Sequence, residues 1–364
     1  MAKADPASLL TVDLGAIVAN WRDLAARVAP ARCAAVVKAD GYGLGSVAIA
    51  RALAKAGCRD FFVARLNEGL AVRDAVPETC RVTVLDGLMK GEAELYRRRN
   101  LTPSLNNPGQ IEEWAAHAKT AGEKLAAALH FDTGMSRQGL TPKEGDALLA
   151  DRTKLDGIAL SYVMSHLVSS EERDNPINAT QLAAFKKWRA AFPGIAASFA
   201  NSSGIFLGPD YHFDVTRPGC ALYGINPTPG RPNPMRGTAK LEARILQVRE
   251  IDSPETVGYG ATWRATRPTR VATIACGYAD GWLRTFSGRG QAWLDGRSLP
   301  FIGRVSMDLI TLDVTDVAAA TQGRMVELMG PNLPVDDVAA SAGTIGYEIL
   351  TRLGARFART YIEP

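Results

Sequence analysis

The chain has 364 residues, of which 46% are hydrophobic and 22% charged, a composition that is typical of a globular protein with a sizeable core. The formal net charge is only +4 and basic residues are interspersed with acidic ones, so nucleic-acid binding is not indicated. No apolar run approaches the length of a membrane span, and the N-terminus lacks the apolar core of a signal peptide. We therefore expect a cytoplasmic protein that does not bind a membrane.

Short apolar strands alternate with helical stretches over the first 223 residues. A strand at 9–12 precedes an amphipathic helix that begins at Leu14, with Asp13 in position to cap it. Eight further segments have the length and apolar content of buried strands: 32–39, 60–64, 81–86, 101–106, 124–132, 157–165, 196–201 and 212–223. Helices are predicted between most of them, at 46–56, 67–75, 91–99, 108–121 and 178–191. This alternation predicts an α/β fold with a parallel (β/α)₈ barrel, that is, a TIM barrel.

The character of the sequence changes after Tyr223. Residues 226–234 form a proline-rich linker that supports neither a helix nor a central strand. Beyond it, strands are predicted at 241–251, 270–276, 291–294, 304–314 and 324–329, with short helices at 335–342 and 345–353. We expect a barrel domain over residues 11–228 and a mostly antiparallel β domain made of residues 1–10 together with 235–364.

The five cysteines are far apart and form no CxxC pair. Cys33, Cys220 and Cys276 lie in apolar stretches, which favours buried reduced thiols over disulfides. The same spacing gives no indication of a metal site.

Lys38 is the first candidate for chemistry. It follows the apolar run 34–37 and precedes a glycine-rich turn, so it is predicted at the carboxyl end of a barrel strand, the end where active sites lie. Two interpretations are evenly matched. Lys38 could be an ordinary strand-end lysine whose amine reaches solvent, or a Schiff-base lysine whose pKa is lowered by desolvation.

Further polar groups follow later barrel strands. The loop 132–139 carries Arg137, which suits a carboxylate clamp, although a structural pair with Asp132 explains the loop equally simply. His166 ends the sixth strand, where a satisfied core histidine is the commoner outcome. Segments 201–204 and 217–220 lie where barrels usually bind phosphate. A lysine, a phosphate site and an arginine in one barrel mouth point to pyridoxal phosphate.

Several motifs, in order, resemble those of the alanine racemase family. They are Ala35-Val-Val-Lys-Ala-Asp-Gly-Tyr-Gly43, His166, Asn201-Ser202, Arg217-Pro-Gly219, Val257-Gly-Tyr-Gly-Ala-Thr262, Gly277-Tyr-Ala-Asp-Gly281, Gly303-Arg-Val-Ser-Met-Asp308 and Gly346-Tyr-Glu348. The resemblance spans nearly the whole chain, including both expected domains. It implies interconversion of L-alanine and D-alanine, either supplying D-alanine for peptidoglycan or catabolising it.

The resemblance also implies roles for individual residues. Lys38 would hold pyridoxal phosphate and act as one of two opposed bases, and Tyr259 from a second subunit would be the other. The remaining implied contacts are Tyr42, Ser202, Tyr347 and the backbone of Gly219 and Cys220 at the phosphate, His166 and Arg217 around the cofactor, Arg137 and the partner's Met307 at the substrate carboxylate, and Tyr278 at the entrance. Family members are dimers with shared sites, so we expect a homodimer. As a permanent cation, Arg217 would not readily protonate the pyridine nitrogen, which would limit side reactions.

One position of this sequence departs from the family pattern. Many members carry a lysine, often carbamylated, where this chain has His130, so the support of Arg137 must differ.

Three alternative functions stay open. A racemase of broader specificity, for example toward serine, is the nearest alternative. A barrel-type decarboxylase of basic amino acids shares the two-domain plan, but its signatures are missing from this sequence. A non-catalytic pyridoxal-binding barrel would lack the β domain.

Overall fold

The computed structural model describes residues 6–364, so the predicted place of residues 1–5 in the second domain lies outside the described residues. Its strands form two large sheets and a two-stranded ribbon. The strands are β1 Ser8–Asp13, β2 Arg32–Cys33, β3 Ala35–Val36, β4 Asp60–Val63, β5 Arg81–Val84, β6 Thr102–Leu105, β7 Leu125–His130, β8 Ile158–Met164, β9 Ala196–Ser198, β10 Val215–Thr216, β11 Ala239–Ile251, β12 Thr256–Val257, β13 Trp263–Arg264, β14 Thr269–Ile274, β15 Gln291–Leu294, β16 Arg297–Pro300, β17 Ile310–Asp313, β18 Met325–Met329 and β19 Ala358–Ile362. The helices are α1 Leu14–Val28, α2 Lys38–Tyr42, α3 Ser46–Ala56, α4 Leu66–Ala75, α5 Ala93–Arg98, α6 Pro108–Ala121, α7 Pro142–Ala150, α8 Ile177–Ala191, α9 Ser202–Leu207, α10 Val335–Ala342 and α11 Gly346–Thr351.

Nine parallel strand segments form the barrel. Their order is β2-β10-β9-β8-β7-β6-β5-β4-β3. The first predicted strand, 32–39, is interrupted at Ala34, so its two halves pair with opposite ends of the sheet, β2 with β10 and β3 with β4. The N–H of Ala34 donates to the carbonyl oxygen of Thr216 at 2.9 Å and links those ends. The predicted barrel is therefore confirmed, with eight strand positions drawn as nine segments.

The predicted strand at 212–223 is wrong over most of its length. Only Val215–Thr216 forms a strand, and the chain turns as 3₁₀ helix on both sides of it. Pro218 has no N–H to donate to a neighbouring strand, which is why the ladder stops there. The segment after Thr216 therefore forms a turn at the carboxyl end of the barrel, and this turn carries several of the predicted site residues.

The second sheet is built on the long strand β11. It pairs antiparallel with β1, β14 and β18, whereas β19 lies parallel to β1. The predicted strand at 304–314 is wrong in its first half because β17 begins only at Ile310. Gly303 has φ +68° and the N–H of Ser306 donates to the carbonyl oxygen of Leu309 at 3.0 Å, so the chain forms a loop there. In residues 6–364 no helix is long and apolar enough to cross a bilayer.

The proposed domain division assigns residues 11–228 to the barrel and residues 1–10 together with 235–364 to the β domain, whereas β1 pairs with β11 as far as Val12. The chain passes from one domain to the other through the proline-rich segment 226–234, which contains no helix or strand. This division stays a proposal.

A buried charge cluster lies at the amino end of the barrel. Asp60, only 3% exposed, begins β4. Its carboxylate pairs with Arg32 at 3.0 Å and Arg81 at 3.2 Å and accepts the hydroxyl proton of Tyr162. The cluster joins β2, β4, β5 and β8, so it ties the first half of the barrel to the second. The amino end of a barrel is generally the face that serves stability.

We expect Asp60→Asn to lower the melting temperature by about 2–3 °C, which corresponds to about 2 kcal/mol for a chain of this length. The substitution would leave Arg32 and Arg81 without their counter-ion. Both arginine side chains are partly exposed, so solvation by water limits the loss of stability. Differential scanning calorimetry measures the effect. Asp316→Asn, which breaks the exposed pair between Arg267 and Asp316, is the control and should change the melting temperature by less than about 1 °C. Equal shifts for the two variants would contradict a stabilising role for the cluster.

Candidate active site

Lys38 begins a tight turn just after β3. Ala39, Asp40, Gly41 and Tyr42 are all left-handed, with φ values of +52°, +52°, +62° and +55°. This conformation costs each non-glycine residue about 1–2 kcal/mol, so surrounding contacts must hold it. The turn brings the side chains of Lys38 and Tyr42 to one cavity.

That cavity has a volume of about 630 Å³ and lies at the carboxyl end of the barrel. It brings together nine of the residues singled out from sequence: Lys38, Tyr42, Arg137, His166, Ser202, Arg217, Gly219, Cys220 and Tyr347. Its other polar lining residues are Asp86, His130, Gln138, Asn201 and Thr351. A volume of this size suits a small cofactor together with a small substrate.

Three predicted site residues do not line the cavity within the same chain. Tyr259, Tyr278 and Met307 belong to the β domain and are 72%, 41% and 53% exposed. This exposure shows that none of the three belongs to the core of the β domain. The N–H of Tyr278 donates to the carbonyl oxygen of Ser306, and the N–H of Ala279 donates to that of Met307, so two of the three side chains share one local surface.

Burial and the predominantly cationic lining of the cavity both lower the pKa of the Lys38 amine. Burial is the main cause that lowers the pKa of Lys38, and the charges of Arg137 and Arg217 lower it further. The carboxylates of Asp86 and Glu68 act in the opposite direction. A lowered pKa makes the unprotonated amine, the form that acts as a nucleophile or base, available at a lower pH than for an ordinary lysine.

Hydrogen bonds to residues of the barrel hold the side chain of Arg217 in place. Its guanidinium donates to the hydroxyl of Ser198 and the carbonyl oxygen of Ser165, both at 2.6 Å, and lies 3.5 Å from Nδ1 of His166. Burial lowers the pKa of Arg217 to about 10, so it stays charged at neutral pH. Burial and the positive charge of Arg217 hold the pKa of His166 well below its usual value, which keeps that ring neutral.

His130 is a neutral histidine whose ring orientation is fixed. Its Nδ1 lies 2.8 Å from Oδ1 of Asn106, whose Nδ2 donates to the carbonyl oxygens of Leu85 and Ser104. Because those bonds use both Nδ2 hydrogens, the proton between Asn106 and His130 belongs to Nδ1, and Nε2 is an acceptor. Burial lowers the pKa of His130 to about 4, so it carries no charge in the working pH range.

The loop that carries Arg137 is held by backbone bonds to Asp132. The carboxylate of Asp132 accepts the N–H groups of Gly134, Met135 and Ser136 at 2.9–3.2 Å. The carboxylate therefore organises the loop through its backbone, and Arg137 lines the cavity.

A cluster of hydroxyl and amide groups also lines the cavity. Ser202 Oγ accepts the N–H groups of Gly219 at 2.9 Å and Ala221 at 3.2 Å, which leaves its own proton free to donate. The ring of Tyr42 stacks on Tyr223 with centroids 4.5 Å apart. A Cβ at Gly219 would lie 2.3 Å from the Tyr42 hydroxyl oxygen, so only glycine fits beside it. Hydroxyls and amides in this arrangement, close to a positive cavity, suit a phosphate group.

The cavity also involves polar residues that the motifs did not single out. Asp86 and Asn106 come just after β5 and β6, the position at which barrel enzymes carry functional groups, so position alone could have indicated them. Glu68 contacts the Lys38 turn from α4, and no sequence signal predicts that contact. Among the described residues, no group of three or more His, Cys, Asp or Glu side chains could hold a metal ion.

The chain matches two family models that together cover most of its length. The model described as alanine racemase, N-terminal domain, matches residues 12–227, and the model for the C-terminal domain matches residues 238–361.

Curated relatives and solved structures agree with these matches. An alanine racemase of Rhodospirillum rubrum is 53% identical over 97% of this chain and 96% of its own length. A protein of Mesorhizobium japonicum named alanine racemase, catabolic, is 48% identical over 100% of this chain and 95% of its own. The crystal structure of alanine racemase from Bartonella henselae with covalently bound pyridoxal phosphate has a TM-score of 0.95 and 43% identity, and covers 98% of this chain and 100% of that one.

Proposed function

This chain belongs to the alanine racemase family, and from that premise we propose that it interconverts L-alanine and D-alanine with pyridoxal phosphate attached to Lys38. The resemblance inferred from the motifs is thus confirmed at the level of the family. The observation that carries the proposal is the cavity itself. There a lysine of lowered pKa lines the same cavity as Arg137 and a cluster of hydroxyls and amides that suits a phosphate group.

The residues present fit the cofactor. Ser202, Tyr42, Tyr347 and the backbone of Gly219 and Cys220 would hold its phosphate, and Lys38 would form the covalent link through its amine. Arg217 would face the ring nitrogen as a donor that keeps its own protons, since it remains charged. When bound, the cofactor would supply electron withdrawal from the substrate α-carbon, which makes its hydrogen acidic.

Racemisation requires a proton to leave one face of the α-carbon and return to the other. Lys38 would serve one face. Tyr259 would serve the other from a second subunit, because in its own chain it is 72% exposed and is not part of the cavity. Met307 and Tyr278, also exposed, would approach with it and contact the substrate carboxylate and the entrance. We therefore propose a homodimer whose two sites are shared.

His166 would connect the two halves of the site. Its Nδ1 faces Arg217, so the remaining ring nitrogen is available to a hydroxyl that approaches from the partner. A hydrogen bond donated by this neutral imidazole, which lies next to a buried cation, would stabilise negative charge on the oxygen of Tyr259.

A chiral assay over a panel of L-amino acids tests the substrate. We expect D-alanine to form fastest and serine to react at least about tenfold more slowly, since one added hydroxyl is discriminated only moderately. Equal rates for serine would favour the broader racemase. Release of an amine and carbon dioxide from a basic amino acid would instead indicate a decarboxylase.

The physiological role is also part of the proposal. The chain would supply D-alanine for peptidoglycan or catabolise it, and the catabolic name of the Mesorhizobium relative supports the second direction. All five cysteines are buried free thiols, which supports a cytoplasmic location.

We expect Gly219→Ala to weaken pyridoxal phosphate binding by about tenfold or more. The new methyl group would meet the Tyr42 hydroxyl, and stacking on Tyr223 prevents that ring from moving away. Titration of cofactor-free protein, followed by absorbance, gives the dissociation constant. Gly237→Ala is the matched control, because a Cβ there has no neighbour within 4 Å. Unchanged affinity in the Gly219 variant would remove this turn from the phosphate site.

A further inference from the structure

The left-handed turn after Lys38 needs a partner outside itself. Its internal hydrogen bonds run from the N–H of Gly41 to the carbonyl of Val37 and from the N–H of Gly43 to that of Ala39. These bonds leave the N–H of Ala39, the first group after Lys38, without a backbone acceptor in the turn. That N–H donates instead to Oε1 of Glu68 at 2.7 Å.

Glu68 connects two separate segments of the barrel. Its other oxygen, Oε2, accepts the N–H groups of Ala64 at 2.8 Å and Arg65 at 3.1 Å, at the turn between β4 and α4. One carboxylate thus accepts three backbone protons, one of them from a residue 29 positions earlier in the chain. Strand β3 pairs with β4, so Glu68 fastens the exits of two adjacent strands to each other.

Helix capping alone does not explain this arrangement. Glu68 is the third residue of α4, and a capping carboxylate at that position needs only the N–H of the N-cap residue, Arg65. The bond to Ala39 lies outside the helix. Charge-assisted hydrogen bonds of this kind are stronger than neutral ones, so Glu68 is well suited to hold a strained turn.

We propose that Glu68 is a positioning residue for Lys38, which fixes the direction of the lysine side chain by holding the first peptide group of the left-handed turn. Glu68 also contributes charge. The groups that act on the Lys38 amine are Arg137 and Arg217, which lower its pKa, and Asp86 and Glu68, which raise it. The proposal goes beyond the racemase function and does not need a bound cofactor, so cofactor-free protein can test it.

Two substitutions distinguish the effect of the Glu68 hydrogen bonds from the effect of its charge. Glu68→Gln keeps the shape, but its amide has one acceptor oxygen, so an NH₂ group must face either Ala39 or the β4–α4 turn. Glu68→Asp keeps the charge and can still cap α4, but it is one methylene too short to reach Ala39 as well. If one variant does not fold, the other still tests the proposal.

The first measurement is hydrogen exchange of the peptide that covers 38–45 in cofactor-free protein. We expect exchange to become at least about tenfold faster in Glu68→Asp, as for loss of one charge-assisted bond, and also in Glu68→Gln when its NH₂ group faces Ala39. The second is the pH dependence of Lys38 acylation by a small reagent, which reports the pKa of the amine. Glu68→Gln should lower this pKa, and Glu68→Asp should change it less.

Two controls complete the design. Asp86→Asn removes a charge near Lys38 without touching the turn, so it should lower the Lys38 pKa and leave exchange at 38–45 unchanged. Glu144→Gln removes an equivalent capping carboxylate from α7, and it should alter neither reading. Wild-type exchange at 38–45 in both Glu68 variants would overturn the proposal, whatever their Lys38 pKa. Failure of the wild-type protein to bind pyridoxal phosphate would contradict the proposed function but not this inference.

Discussion

The Lys38→Ala protein is expected to lose racemase activity by about 10³-fold or more, because it lacks both the covalent link to the cofactor and one of the two proton-transfer groups. It should also lose the visible absorption of covalently held pyridoxal phosphate. The hydroxyls and amides at Ser202 and Gly219 remain, so some reversible binding of the cofactor should persist.

The measurements are an absorption spectrum of the purified protein and a chiral assay with L-alanine and D-alanine. Lys186→Ala, which removes a lysine from the exposed face of α8, is the control and should leave both readings unchanged. An unaltered spectrum in Lys38→Ala would reject Lys38 as the attachment site. A normal spectrum in the control excludes a general effect of losing a lysine.

Tyr259→Phe is expected to slow removal of the α-hydrogen from one enantiomer by about 10²–10⁴-fold and from the other much less. The substitution removes only the phenolic hydroxyl group, so the reaction should slow selectively for the enantiomer whose α-hydrogen faces Tyr259. Exchange of the α-hydrogen with deuterated solvent, followed separately for each enantiomer, measures this asymmetry. Equal loss for both would reject the two-base assignment.

The same variant tests whether sites are shared. If Tyr259 serves the site of its partner, mixing Lys38→Ala with Tyr259→Phe subunits creates one site that contains both intact residues. Activity should therefore reappear in mixed dimers, to about a quarter of the wild-type value for random pairing, since half of the dimers are mixed and each has one intact site of two. Proven heterodimers without activity would show that each site is built from a single chain.

The repeated strand pattern was enough to predict the barrel, because buried parallel strands read as apolar runs. The ends of the strands were predicted less accurately than their existence. The strand after His212 was predicted too long because its apolar residues pack in a 3₁₀ turn, not in a ladder. The terminal strand β19 was not predicted, since Ala358–Ile362 is largely exposed and lacks apolar alternation.

The residues of the candidate site were also predicted only in part. Residues with recognisable motifs, such as Lys38 and Arg217, were predicted and line the cavity. A supporting residue such as Glu68 was not, because its role depends on backbone groups that only the folded chain brings together. The protonation of His130 is of the same kind, since its neutral form follows from burial and from nearby arginines.

The turn after Lys38 is also held by β19, in which Arg359 lies 3.5 Å from Asp40 and the Tyr361 hydroxyl donates to the carbonyl oxygen of Leu44. Those last two residues are 317 positions apart, so a ribosome needs about 15–60 s to make the second after the first. After synthesis of Cys220 and before that of β19, a nascent chain contains the barrel residues of the site without these two contacts. We expect newly made protein to acquire its cofactor after synthesis of β19, which makes cofactor loading a late step in biogenesis.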